Sequence, residues 1–382
     1  MTNMNPKVSI LIPVYNVEPY LRLCLNSVIN QSLKEIQIIC INDGSTDNSL
    51  DILKEFAAKD ERIVLVDKQN EGYGKAMNVA TSYASGEYIG IVEPDDYVSY
   101  EMFETLYSVA HKNNLDFVKS DFYRFAQDAD GDVLYKLYRL SPDKNRYNRV
   151  FCPIEETDSL KFIMNTWCGI YKRSFIEDNS IVYNETPGAS FQDNGFYFQT
   201  FAFAKRAMIL DVPLYNNRRG NPNSSVNNSK KVYAMKAEYD YIREKLSKYP
   251  ETWEKLKGWY WVRKFDNYEI TINRISDEFK KEFCYLFATE FKTALENKEI
   301  DMSLFCKFHQ SRIKLMLKNP ELFYKTRCEV DEETNEPSYN QKLNANELRY
   351  RLAEMQNSTS WKVGRLITWL PRIIKNKLVR KY

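Results

Sequence analysis

The chain has 382 residues, of which 43% are hydrophobic and 28% charged, with 12 Gly, 13 Pro and a net charge of +2. That length supports two or three domains, and the composition excludes disordered, collagenous and low-complexity classes. The two histidines, His111 and His309, are far apart with no ligand spacing around them, which argues against a histidine-based zinc site or triad. Seven cysteines without a CxxC pair read as reduced, cytosolic thiols. Residues 1–7 are polar and no run approaches the ~18 apolar residues of a membrane span, so neither a leader nor a spanning helix is expected.

In chain order, strands are predicted at residues 8–12, 36–41, 63–66, 88–92 and 117–119, with helices at 19–30, 49–60, 74–84 and 100–113 between them. Near-continuous apolar strands separated by such helices imply an α/β fold with a largely parallel sheet covered on both faces. Ligands of such sheets bind beyond the carboxyl ends of the strands. Polar turn clusters follow four of these strands: Pro13-Val14-Tyr15-Asn16, Asn42-Asp43-Gly44-Ser45-Thr46-Asp47, Asn70-Glu71-Gly72-Tyr73-Gly74-Lys75 and Glu93-Pro94-Asp95-Asp96. Residues 122–227 are mixed and rich in aromatics, with a helix predicted at 193–204; 230–320 reads as helical.

Three carboxylates in four residues, Glu93, Asp95 and Asp96, repel one another unless a cation joins them. Hard oxygen ligands suit Mg²⁺ or Mn²⁺ bridging to a diphosphate, and the other reading is a solvated turn capping the next helix. Asp43 leaves its strand pointing over the sheet edge, placed to accept hydrogen bonds from a ribose or base, while Ser45 to Asp47 also cap the following helix. Gly72 and Gly74 let backbone approach a ligand, and Lys75 is placed to neutralise phosphate. Neither a Walker A loop nor a dinucleotide fingerprint is present.

Together and in this order, these motifs resemble the inverting family 2 glycosyltransferases with the GT-A fold, densely over residues 7–110. The resemblance implies a Rossmann-like mixed sheet with helices on both faces, followed by a helical C-terminal region. It implies an enzyme of the EC 2.4 class that moves a hexose or N-acetylhexosamine from a UDP-sugar to a glycan or lipid-linked glycan in surface-polysaccharide synthesis. Donor contacts would come from Pro13, Tyr15, Asn16, Asp43, Gly72, Lys75, Asn78 and Asp95, and metal ligands from Asp95, Glu93 and Asp96. Two positions depart from the family pattern: Glu93 replaces the first Asp of the acidic motif, and Met77 stands where an Arg often precedes Asn78.

The family also uses a carboxylate base at a helix start, and Gln192-Asp193-Asn194 lies at the matching place, so Asp193 is the expected base. Its alternative is a helix cap without chemistry. Arg218 and Arg219 would reach the diphosphate or the acceptor, or form a surface turn. Trp167 offers a sugar-stacking face or core packing, and Gln192 a further acceptor contact. A second overall reading is a non-catalytic nucleotide-sugar-binding scaffold protein.

The expected domain organisation is a nucleotide-sugar half (1–120), an acceptor half (121–228), a helical extension (229–328), an acidic linker (329–340) and a helix plus basic tail (341–382). From Asn357 onward there are seven basic residues and no acid, so the remainder carries a net charge of −5. The amphipathic pattern of 357–382 predicts peripheral attachment to an anionic membrane surface on the cytoplasmic side, with docking on protein as the alternative. An acidic body makes nucleic-acid binding improbable. Leu343, Leu348, Leu352 and Met355 leave self-association open.

Overall fold

The structure is a computed structural model that describes residues 6–127, 133–221, 229 and 231–328. The expected linker, the helix after it and the basic membrane-directed tail lie outside the described residues. Three strands lead the chain, β1 (Val8–Val14), β2 (Ile36–Asp43) and β3 (Ile63–Lys68), separated by α1 (Glu18–Ile29) and α2 (Ser49–Ala57). There follow α3 (Tyr73–Ser82), β4 (Tyr88–Ile91), β5 (Tyr97–Val98) and α4 (Met102–Asn113). Every residue of β1 and β4 is buried, as a strand covered on both faces requires.

The next elements are β6 (Phe117–Gln127), β7 (Val133–Tyr138), β8 (Gly169–Lys172), α5 (Arg173–Asp178), α6 (Asp193–Phe203) and β9 (Ala207–Arg218). The sheet runs β3-β2-β1-β4-β8-β6-β9-β5, with β7 paired to β6. Its first four strands are parallel, but β8 is antiparallel to β4 and to β6, β5 is antiparallel to β9, and β9 is parallel to β6. The parallel expectation therefore holds throughout only the half in which a helix joins each strand to the next, and beyond it for the β6/β9 pair. Beyond it, β7 doubles back onto β6 as an antiparallel neighbour.

Helices α7 (Ala234–Leu246), α8 (Pro250–Arg274), α9 (Asp277–Glu296), α10 (Lys307–Lys318) and α11 (Pro320–Cys328) supply the expected helical region. One compact unit covers Met1–Ser276 with Thr293–Cys306, so positions 120/121 and 228/229 both fall inside it. The second unit begins with Asp277–Lys292 and resumes at Lys307. Within it, Lys281 pairs with Glu321 at 2.9 Å, and the rings of Phe287 and Phe323 meet edge to face. No helix among the described residues is long and apolar enough to cross a membrane.

Candidate active site

Because β1 to β4 are parallel, their carboxyl ends open along one edge. The strand order reverses about β1, with β2 on one side and β4 on the other, which is where such sheets leave a ligand crevice. Pro13 is buried within β1, Tyr15 just beyond it is 50% exposed, and Asn16 takes a left-handed φ of 50°. That turn is locked to the next strand end: Asn16 N donates to Ser45 Oγ (3.1 Å), and Thr46 N donates to Asn16 Oδ1 (2.8 Å). Asp43 is 4% exposed and accepts from Lys68 Nζ (2.6 Å), Glu71 N (3.0 Å) and Gly72 N (2.9 Å), so it shapes the loop before α3.

Across the crevice, each carboxylate after β4 has its own surroundings. Glu93 accepts from Tyr73 Oη at 2.8 Å; burial, then the charges of Asp96, Asp95 and Asp193, push it up to about 8 against that hydrogen bond. Asp95 Oδ2 accepts from Asn221 Nδ2 at 2.8 Å. Asp96 is 1% exposed and turns into the sheet, accepting from Tyr215 Oη (2.8 Å), Asn217 Nδ2 (3.0 Å) and Arg218 N (2.6 Å). Burial and the Asp95 charge still push Asp96 up to about 7.

Residues 183–192 bring the third part. Asn78 Nδ2 donates to Tyr183 O (3.0 Å) and Glu185 Oε1 (2.9 Å), and its Oδ1 accepts from Tyr183 N (2.9 Å). Lys75 pairs with Glu185 at 3.0 Å, and Tyr73 N donates to Gly188 O at 3.2 Å. The approach is close enough to demand glycine: a Cβ on Gly74 would lie 2.0 Å from Asn184 O, and Gly72, at φ 96°, would meet Gly188 N at 2.6 Å. Gln192 folds the loop on itself, its Oε1 accepting from Ser190 N (2.6 Å) and its Nε2 donating to Thr186 Oγ1 and Gly188 O (both 2.9 Å). Phe191 then sits at φ 68°, a costly place for a bulky side chain, and α6 starts at Asp193.

Asp193 retains partial exposure and accepts from Asn194 N at 3.1 Å. Burial pushes it up to about 6, opposed by that hydrogen bond and by the charges of Arg274 and Lys119. The start of α6 is also held from α7, where Glu238 accepts from Gly195 N (2.9 Å) and Asn184 Nδ2 (3.0 Å) and is pushed up to about 8, chiefly by burial.

The structure thus brings Asp193 and Asp95 within range of Glu93, which feels the charge of both. It also revises three expectations. Asp96 is committed to β9 and is no metal ligand; both ends of the Asn78 amide hold Tyr183 and are not offered to a donor; Gln192 is spent inside its own loop. Among the described residues no group of three His, Cys, Asp or Glu forms a ready metal cluster. Trp167 packs on Tyr215 at 4.3 Å and edge to face with Phe122, keeping only part of its surface open. Arg218 lies between the rings of Tyr20 and Phe125 and donates from Nε to Asp95 O at 2.8 Å, while Arg219 is exposed.

Sequence reasoning missed Tyr73, Glu185, Tyr215, Glu238, Lys119 and Arg274. Tyr73 had a signal, since it sits between the two glycines of its loop. Arg274, at the end of α8, is 81 positions beyond Asp193 and has no local pattern.

Residues 9–178 match glycosyl transferase family 2, a span that ends before Asp193. The chain is 37% identical over 227 residues to the uncharacterized glycosyltransferase EpsJ of Bacillus subtilis, covering 58% of this chain and 63% of EpsJ. It is 40% identical over 114 residues to a poly(ribitol-phosphate) beta-glucosyltransferase of Bacillus spizizenii, covering 29% of this chain and 18% of that protein. The chain therefore spans less than two thirds of the length of either relative. In fold it is similar to S. aureus TarS 1-349 in complex with UDP-GlcNAc, with a TM-score of 0.63 and 18% identity over 88% of this chain and 92% of that one. The family match and the strand-end motifs within it identify residues 9–178 as a segment similar to glycosyl transferase family 2, on a fold shared with TarS.

Proposed function

We propose that this chain is an inverting glycosyltransferase that moves a hexose or N-acetylhexosamine from a UDP-sugar to a hydroxyl of a glycan or lipid-linked glycan during surface-polysaccharide synthesis. The observation that carries this reading is the convergence of Asp193 with Glu93 and Asp95 across a loop clasped to α3. The UDP-GlcNAc bound to TarS and the poly(ribitol-phosphate) acceptor named for the B. spizizenii relative support the donor and acceptor classes.

Pro13, Tyr15 and Asp43 line the base and ribose, and Lys75 faces the diphosphate once it leaves Glu185. Asp193, ionised above about pH 6, takes the proton from the acceptor hydroxyl. The acceptor oxygen bonds to the anomeric carbon as the bond from that carbon to the diphosphate oxygen breaks. The electron pair leaves with UDP from the opposite face, which inverts the linkage.

Glu93 and Asp95 fit a divalent cation, Mg²⁺ or Mn²⁺: they are crowded carboxylates, and one oxygen of each accepts no hydrogen bond from a described residue. Such an ion, when bound, neutralises charge on the departing diphosphate. The cytoplasmic membrane face is the proposed location, resting on the charge of residues 357–382.

The test is UDP release from a panel of UDP-sugars with glycan acceptors. Asp193→Asn should lower transfer about 10²- to 10⁴-fold while UDP affinity is retained; full transfer by that variant removes Asp193 as base. Activity indifferent to EDTA removes Glu93 and Asp95 as metal ligands. UDP binding with no product from any donor favours the scaffold reading.

A further inference from the structure

Three arginines, one of them beside the candidate base, crowd one another's charge. Arg124 lies on β6, Arg219 directly follows β9, and Arg274 ends α8. Arg124 is in register with Asn217 across the β6/β9 pair, and Arg219 N donates to Phe125 O at 2.7 Å. Alternation along this ribbon sets Arg124, Asn217 and Arg219 on one face and Arg218, with its hold on Asp95, on the other. From α8, the Arg274 guanidinium rests over the Phe191 ring at 5.6 Å, two residues before Asp193. Its charge is felt both at Asp193 and at Arg219, and Arg219 feels Arg124 as well.

None of the three makes an ion pair among the described residues. Arg124 stacks on the Tyr138 ring at 4.2 Å, and its buried Nε has no hydrogen-bond partner. Like charges that converge raise one another's cost; Asp193 offsets it at Arg274 and Asp96 at Arg219 without pairing with either, and an oxyanion among the three removes the rest. Guanidinium forks match the paired oxygens of phosphate and carboxylate.

We propose that Arg124, Arg219 and Arg274 form a subsite for an oxyanion carried by the acceptor, a phosphodiester or carboxylate next to the hydroxyl that Asp193 deprotonates. This rests on the transferase reading above. The acceptor is favoured over the donor diphosphate because Arg274 reaches the site beside Asp193, where the accepting hydroxyl must sit, while Arg218 on the opposite face serves the Asp95 side.

The experiment is calorimetric titration of the full chain, with UDP at saturation, against three oligomers: a glycerol-phosphate chain, an oligogalacturonate and an uncharged maltooligosaccharide. At least one charged oligomer should bind ten times more tightly than the neutral one, more weakly as salt rises. Arg219→Gln and Arg274→Gln should each lower that affinity about tenfold and leave UDP affinity unchanged. Arg219 is exposed, so its variant should melt like the parent and carries the test if Arg274→Gln does not fold.

Equal binding of charged and neutral oligomers overturns the proposal. So does displacement of the charged oligomer by UDP together with weakened UDP binding in both variants, which assigns the cluster to the donor diphosphate. Asp193→Asn should keep charged-oligomer binding and lose transfer. Binding without transfer from any UDP-sugar in the parent chain would sink the transferase reading and leave the oxyanion subsite standing.

Discussion

Asp43 and Asp193 stand on the proposed nucleotide side and the proposed acceptor side, and the chain treats them oppositely. Asp43 receives a lysine and two backbone N–H groups. Asp193 receives only the backbone N–H and the side-chain amide of Asn194, both on one oxygen, with no cation bonded to it, and is pushed up to about 6 by burial. A saturated carboxylate holds structure, whereas one kept short of partners stays basic enough to take a proton. The same contrast divides the arginines: Arg218 is tied to Asp95 O, while Arg219 and Arg274 make no ion pair among the described residues.

The largest effect expected from this contrast is on stability, with opposite signs. Asp43→Asn should destabilise the fold by about 2–4 kcal/mol, because it strands Lys68 and weakens the two N–H bonds that set the loop before α3. Asp193→Asn should stabilise it by about 1–2 kcal/mol at neutral pH. The sign follows from linkage: a folded pKa of about 6 against an unfolded value of about 4 costs nothing at low pH. That cost grows as pH rises between the two values and is constant above. Denaturant melts of both variants at pH 4 and pH 7.5 check this, and a stabilised Asp43→Asn would erase the distinction.

A smaller effect tests the seam between the sides. Asn78→Ala leaves the backbone N–H and C=O of buried Tyr183 without partners and frees residues 183–192 to drift. Transfer should fall about tenfold with UDP affinity retained, since misplacing the base costs rate rather than donor binding. An equal loss of UDP affinity would restore the donor contact that the sequence resemblance assigned to Asn78.

The strand-end turns of the first half were legible because each is local. Each motif follows its own strand within a few residues, and parallel pairing turns four such ends into one edge. What the sequence could not show was how those groups are spent. Asp95 and Asp96 are neighbours, yet strand geometry aims Asp96 at Tyr215 and Asn217 of β9, more than a hundred positions away. The acceptor side is assembled almost wholly from such distant pairs: Asn78 with Tyr183, Gly195 with Glu238, Phe191 with Arg274. A cation that ends one helix and stacks on a strained residue before another leaves no periodicity to read.

The finest test of the comparison is the acid limb of the pH profile. On the proposed mechanism transfer requires ionised Asp193, so kcat/KM should fall below about pH 6 with the slope of a single proton. Arg274 and Lys119 are the cations that hold that value down. Arg274→Gln removes one of the two cations, so its midpoint should move to higher pH while the plateau rate, measured at saturating acceptor, changes little. Lys68→Met, which strips a cation from Asp43 instead, should leave the midpoint where it was, because that charge never faced the base. A shift in the Lys68 variant with none in the Arg274 variant would mean that the titrating group belongs to the nucleotide side, and that Asp193 is the cap its helix position also allows.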